Sequence, residues 1–234
     1  MVKLRFHGHS CFEIEGSKGK IIIDPFISGN PLAVVKPNDL TNITAVLITH
    51  GHHDHLGDAL SIARDNSARI VAPNELANYL GRQGVKFHAM HIGGAHVFPW
   101  GSVKLTQALH GSGLVLKDNI VYLGNPCGFL LDIDDVIIYH AGDTGLFGDM
   151  RIFTELLHGK TIDIALLPIG DNFVMGPEDA LIAVKWLKPK KVVPMHYDTF
   201  PIIKQDANEF KMRVEKETIT QAIVMRPGEY HEIF

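Results

Sequence analysis

Apolar residues along the first half of the chain come in short runs, several alternating with polar positions. Lys3–Phe6, Phe12–Glu15 and Lys20–Asp24 read as strands, the last two parted by a Gly-Ser-Lys-Gly break. Ala45–Thr49 is a continuous apolar run, the pattern of a strand buried on both faces. Leu56, Leu60 and Ala63 then take helical spacing and predict a helix from Leu56 to Arg64. Arg69–Ala72 reads as a strand, and a helix opens at Pro73, a residue suited to a first helical turn. Val103–Leu109, Gly128–Ile133 and Val136–His140 are further strands. The last two flank Asp134-Asp135, which predicts a tight hairpin. The second half alternates: strand Asp163–Pro168, helix Pro177–Leu187, strand Lys191–Pro194, helix Ile203–Glu217, then strands Ala222–Met225 and Tyr230–Ile233. No short-period repeat, low-complexity tract or Pro/Ser-rich linker interrupts this order. Strands in both halves with helices interleaved imply two packed sheets covered by helices, in one domain spanning 1–234.

Composition narrows the function classes. The 234 residues are 46% hydrophobic and 21% charged, which excludes disordered and coiled-coil chains. No stretch approaches the length of an apolar membrane span, and Glu13 and Glu15 interrupt any signal-like core, so the N-terminus reads as unprocessed. The two cysteines, Cys11 and Cys127, cannot form a disulfide framework. They read as packing residues, and a cytoplasmic location is expected. With 22 Lys+Arg against 26 Asp+Glu, the net charge of −4 has the wrong sign for a general nucleic-acid binder. Histidine is the outlier: 14 residues, roughly two to three times the usual share.

Four of those histidines fall in Thr49-His50-Gly51-His52-His53-Asp54-His55, between the buried strand and the helix that follows it. Loops beyond the carboxyl ends of strands are where α/β folds bind ligands. Five ionisable side chains in six residues are costly without a shared partner, and histidine is the commonest metal ligand. His110, Asp143 and His196 repeat the theme, each a ligand-type residue beyond the end of an apolar strand. Taken alone, each has an ordinary structural explanation. As a set joined to the His50–His55 cluster, they point to a metal centre.

The motif His50-x-His52-x-Asp54-His55, followed by His110, Asp143 and His196, resembles the metallo-β-lactamase-fold hydrolase superfamily along the whole chain. The flanking segments GHSCFEI, YHAGDT, LLPIGDNFVMGPEDA and PMHYDTF look most like the branch of ascorbate-6-phosphate lactonase and N-acylphosphatidylethanolamine phospholipase D. Small bacterial and archaeal members described only as metal-dependent hydrolases look more similar still. The resemblance implies an α/β fold of the α+β kind, a four-layer αββα sandwich, with two divalent metal ions per chain. Carried over residue by residue, His50, His52 and His110 would bind one ion, Asp54, His55 and His196 the other, and Asp143 both. Three imidazoles suit Zn²⁺, and the carboxylate-richer site would also take Mn²⁺ or Fe²⁺. The resemblance implies hydrolysis of a small ester, lactone, phosphoester or phosphodiester by a metal-bridging hydroxide, with Asp54 as the catalytic carboxylate.

Three other functions share the fold: RNA-processing nuclease, diiron redox enzyme and non-catalytic metal-binding protein. The first usually needs an added clamp or insertion, and no segment here supplies one. The second usually has Glu where this chain has His52, and the third would have lost ligand positions that are all filled. The expected partner is therefore a small-molecule substrate rather than a nucleic acid or a membrane, and a homo-oligomer stays open.

Further candidates for substrate contact or support of the ligands are His7, His9, His140, Met175, Tyr197 and Asp198. For His7 and His9 a partly exposed strand position is slightly favoured over such a role. His53 reads as solvent-facing. His88, His91, His96, His158 and His231 lack partner spacing and are assigned no role. The loop 170–176 is read equally as a substrate lid or an ordinary connection.

Overall fold

The computed structural model describes residues 1–157 and 159–233, so the reading of His158 lies outside the described residues. In chain order the strands are β1 (Val2–Phe6), β2 (Phe12–Gly16), β3 (Gly19–Ile23), β4 (Ile43–Leu47), β5 (Arg69–Pro73) and β6 (Phe87–Met90). They continue as β7 (Ala95–Phe98), β8 (Gly101–Gln107), β9 (Gly113–Leu116), β10 (Asn119–Tyr122) and β11 (Cys127–Ile133). The last are β12 (Val136–His140), β13 (Ile164–Pro168), β14 (Lys191–Met195), β15 (Gln221–Ala222) and β16 (Tyr230–Ile233). The α-helices are α1 (His53–Leu56), α2 (Ala59–Asp65), α3 (Asn74–Gly81), α4 (Phe153–Leu156), α5 (Pro177–Leu187) and α6 (Ala207–Glu217).

Two seven-stranded mixed sheets form, in the orders β16-β1-β2-β3-β4-β5-β6 and β15-β14-β13-β12-β11-β8-β7, with β9 and β10 as a separate ribbon. The alternation in β4 shows why the layers stack as they do. Ala45 and Leu47 belong to the core between the sheets, together with Leu105, Phe129 and Ile138 of the second sheet. Val46 and its neighbour Ile48 face the other way, onto Ile62 of α2 and Leu76 and Leu80 of α3. A strand serving two cores must be apolar throughout, the pattern read in the sequence. Leu181 and Val184 of α5 and Phe210 and Val214 of α6 cover the second sheet. The result is the four-layer αββα sandwich. Asp134 and Asp135 take φ of 51° and 65°, the paired left-handed geometry of a tight hairpin between β11 and β12.

Several elements differ from expectation. The helix expected over Leu56–Arg64 is two short helices, because Gly57 takes φ 39° and ψ −123° and breaks it. Pro73 ends β5 and precedes α3 instead of lying in its first turn. The helix expected from Ile203 starts at Ala207, where the Asp206 carboxylate accepts the Asn208 and Glu209 N–H groups. The strand expected over Ala222–Met225 is the two residues of β15. β6, β7, β9 and β10 carried no strand signal strong enough to be read.

Candidate metal centre

Parallel strands aim their carboxyl ends at one edge of the sandwich, and the candidate residues sit just past those ends. His50, His52, Asp54 and His55 follow β4 of the first sheet. His110 follows β8, Asp143 follows β12 and His196 follows β14 of the second. Local backbone bonds tie these loops together. The Leu109 N–H donates to Thr144 Oγ1 at 2.9 Å, and the Gly145 N–H to the Leu109 carbonyl at 3.1 Å. The His196 N–H donates to the His9 carbonyl at 2.8 Å, both residues holding left-handed φ.

The donor atoms converge in three overlapping groups, each within 4.8 Å: His50, His52, His110; His50, His55, Asp143; and His9, Asp54, His55, His196. His52 Nδ1 lies 2.9 Å from His50 Nε2 and 3.2 Å from His110 Nε2. Three ring nitrogens that meet this way cannot all be paired by the protons they carry, whereas one cation satisfies all three. Asp143 Oδ2 stands 2.9 Å from His196 Nε2, 3.3 Å from His55 Nε2 and 3.5 Å from His110 Nε2. Asp143 Oδ1 is buried without a hydrogen-bond partner. This donor set fits a divalent metal.

Protonation of the three-imidazole group agrees with that use, since a ligand imidazole must be neutral. Burial, then the neighbouring His55, holds His50 well below the usual histidine value, and burial also lowers His52 and His110. Burial would raise Asp143, but His196 and His55 hold it well below the carboxylate range. Asp54 is likewise low against its own burial, through the His9 hydrogen bond and His55. His55 is raised despite burial because Asp143 and Asp24 flank it.

Asp24 was missed as a site residue, although a carboxylate ending the apolar run of β3 is the same signal that marked His110, Asp143 and His196. It is fully buried. Its carboxylate accepts the Thr49 N–H at 2.8 Å, the Thr49 hydroxyl at 2.6 Å and His55 Nδ1–H at 2.8 Å. Because that hydroxyl donates to Asp24, it accepts from His50 Nδ1, 2.9 Å away. One carboxylate thereby turns Nε2 of both His50 and His55 toward the cluster.

Of the other candidates, His9 belongs to the cluster, fully buried rather than partly exposed. It bridges Thr199 Oγ1 at 2.9 Å and Asp54 Oδ2 at 3.2 Å. Burial, then His196, pushes it down to about 4, so it is neutral near pH 7. His140 is also buried, donating from Nε2 to the Ser10 carbonyl and accepting the Gly142 N–H at Nδ1; it braces the Asp143 turn from behind. His7 is fully buried and faces Glu13 at 3.7 Å, away from the donors. His53 is exposed against Phe26.

A cavity of about 230 Å³ opens over the cluster, bordered by His52, Asp54, His110, Asp143 and His196 together with Phe173 and Phe200. Within the 170–176 loop it is Phe173 that reaches the cavity, while Met175 is 1% exposed and packs in the core, so contact with substrate through Met175 is corrected. Tyr197 and Asp198 line a different cavity, beside Lys204 and Asn208. They follow a ligand in sequence but turn away from it. Phe200 left no sequence signal, because its place depends on how loops from distant strands meet.

A sequence profile of the Beta-lactamase superfamily domain matches residues 20–197. The chain is 54% identical over 237 residues to a UPF0173 metal-dependent hydrolase of Desulforamulus reducens, covering 99% of this chain and 100% of that one. It is 53% identical over 233 residues to a UPF0173 metal-dependent hydrolase of Pelotomaculum thermopropionicum, with 99% and 100% covered. Among solved structures it is similar to Igni18, a metallo hydrolase from the archaeon Ignicoccus hospitalis. There the TM-score is 0.87 at 39% identity, over 100% of this chain and 99% of that one.

Proposed function

The chain belongs to the Beta-lactamase superfamily domain family and is a metal-dependent hydrolase, and from that premise we propose that it works with two divalent ions on a small ester, lactone, phosphoester or phosphodiester. His50, His52 and His110 would hold one ion, Asp54, His55 and His196 the other, and Asp143 would serve both. The carrying observation is the convergence of these donors, with Asp143 Oδ1 buried and without a hydrogen-bond partner. Three imidazoles favour Zn²⁺ in the first position, and the second, with its carboxylates, also suits Mn²⁺ or Fe²⁺.

Divalent ions held by these residues would supply Lewis-acid polarisation of the substrate and a water of lowered pKa, about 7. The protein supplies the rest. Asp54, its side chain 28% exposed and facing the cavity, orients the attacking water and receives its proton. Since an ionised Asp54 can only accept, His9 Nε2–H is the donor between them, and the Thr199 hydroxyl donates to His9 Nδ1. That relay fixes the orientation of the Asp54 carboxylate. Asp24 and Thr49 hold the His55 and His50 rings in their ligating tautomers. We take residues 1–234 as one hydrolase domain because both sheets contribute donors. Among the described residues no helix is long and apolar enough to cross a membrane. A cytoplasmic location fits the two cysteines, both free and buried.

Elemental mass spectrometry of protein purified without chelators tests this reading, and about two equivalents of Zn, Mn or Fe per chain are expected. His52→Ala should lose one equivalent and at least about 100-fold in hydrolysis of p-nitrophenyl esters or bis-p-nitrophenyl phosphate. A folded His52→Ala variant that keeps its full rate refutes the assignment.

A further inference from the structure

Resting on that hydrolytic reading, we propose that the substrate is an uncharged acyl compound whose apolar arm lies against Phe173 and Phe200, so that the site cleaves acyl rather than phosphoryl bonds. The cavity has a polar floor and an apolar border. Its five ionisable side chains are all metal-ligand candidates, and the two remaining lining residues are phenylalanines. Among the described residues, none that lines it is a lysine or an arginine. A phosphate dianion is ordinarily gripped by guanidinium forks, ammonium groups or backbone N–H cradles in addition to metal. Here nothing cationic beyond the ions would meet it. The cationic Lys204 borders the separate cavity beside Tyr197.

Phe173 is 54% exposed at the mouth of this cavity, and its loop is built to hold it there. The two residues before it, Asp171 and Asn172, take left-handed φ of 61° and 48°. Consecutive non-glycine residues in that region are uncommon, and such strain concentrates where a side chain must be presented. The Asp171 carboxylate accepts the Asn172 N–H at 2.8 Å. The Asp171 N–H donates to the Met175 carbonyl at 3.1 Å. The Met175 N–H in turn donates to the Thr144 carbonyl at 2.9 Å, fastening the loop to the turn that carries Asp143. Phe173 is thereby tied to the metal centre through four residues of backbone. Phe200 is braced from behind, its ring centroid 6.4 Å from Phe26 and 5.8 Å from His9. A cavity of about 230 Å³ admits an arm of several carbons.

Metal chelators that share one head group isolate the arm from the chemistry. Calorimetric titration of the metal-loaded protein compares acetohydroxamate, benzohydroxamate and inorganic phosphate. Benzohydroxamate should bind about tenfold tighter than acetohydroxamate, from the added apolar area covered. Inorganic phosphate should bind more weakly than either. The preference should collapse to about twofold in Phe173→Ala, whose side chain is exposed enough not to endanger folding, and should fall in Phe200→Leu, which keeps most of the packing. A ratio near one in the native protein, or phosphate binding as tightly as acetohydroxamate, overturns the proposal. Turnover is scored separately with one leaving group. Hydrolysis of p-nitrophenyl butyrate should exceed that of p-nitrophenyl phosphate, and the reverse order overturns the acyl assignment. Turnover of neither compound, with the benzohydroxamate preference intact, overturns the hydrolytic reading while leaving the apolar wall standing.

Discussion

Asp24 touches no substrate, yet it sets the chemistry of a residue on each side of the centre. Replacing it with Asn keeps the shape and reverses the two hydrogen bonds that its Oδ2 accepts, from the Thr49 hydroxyl and from His55 Nδ1. The new amide can satisfy Thr49 N–H through its oxygen, but its NH₂ then faces His55 Nδ1. His55 must accept there, which moves its proton to Nε2, the atom proposed to bind metal. Asp24→Asn should therefore fold with near-native circular dichroism and lose about 10- to 100-fold in affinity for one equivalent of metal. Zinc competition against a chromophoric chelator reads this directly, and two equivalents held with unchanged affinity would refute the tautomer argument. The seven candidate ligands were legible because each ends or follows an apolar strand, a signal that survives in one dimension. Asp24 carried the same signal and was passed over for lack of a histidine nearby in sequence. Phe200 carried none, because an aromatic in a loop is ordinary until distant strands bring it over the donor cluster.

The short helix α1 shows how an element positions chemistry. It presents Asp54 and His55 within one turn and ends at Gly57, whose left-handed φ lets the chain pass directly over the Pro25–Phe26 backbone. A Cβ at this position would strike the Pro25 carbonyl and lie 2.7 Å from Phe26 Cα. The junction is fastened on the other side as well. The Asp58 carboxylate accepts the Ile27 and Ser28 N–H groups, and the Asp58 N–H donates to the Pro25 carbonyl. Gly57→Ala should cost at least about 2 kcal/mol in urea unfolding, combining left-handed strain with backbone displacement. It should also lower affinity for the metal held by Asp54 and His55, and a stable variant with native metal content would show that the junction is dispensable. Helical spacing at Leu56, Leu60 and Ala63 reads through this break because periodicity registers apolar faces, while the interruption is imposed by contact with a segment thirty residues earlier. The edge strands β6 and β7 were unreadable for a related reason. Phe87, Ala95, His96 and Val97 are exposed, so their sequences lack the buried alternation that marks the inner strands.

At the scale of the molecule, the donors join two sheets that share an apolar core. Four of the seven come from the end of β4 in the first sheet and three from the ends of β8, β12 and β14 in the second. Ions held there as proposed would act as staples across the carboxyl edge of the sandwich. Without them the edge keeps Asp54 and Asp143 among buried imidazoles that have lost their shared partner. A ligand bound only by the folded state stabilises by RT ln(1 + [L]/Kd), about 4 kcal/mol at a thousandfold excess over Kd. For a chain of this size each kcal/mol moves Tm by about 2–4 °C, so chelation should lower Tm by roughly 8–16 °C for each ion removed. The location of the loss matters more than its size. Hydrogen exchange after chelation should accelerate at 50–57, 109–112, 141–145 and 196–200, the loops that carry the donors. β1 and β2 should stay protected, since their pairing and the apolar core beneath them do not involve the ions. Uniform loss of protection would mean that the centre and the core melt as one unit, whereas unchanged exchange at the four loops would mean that packing alone closes this edge.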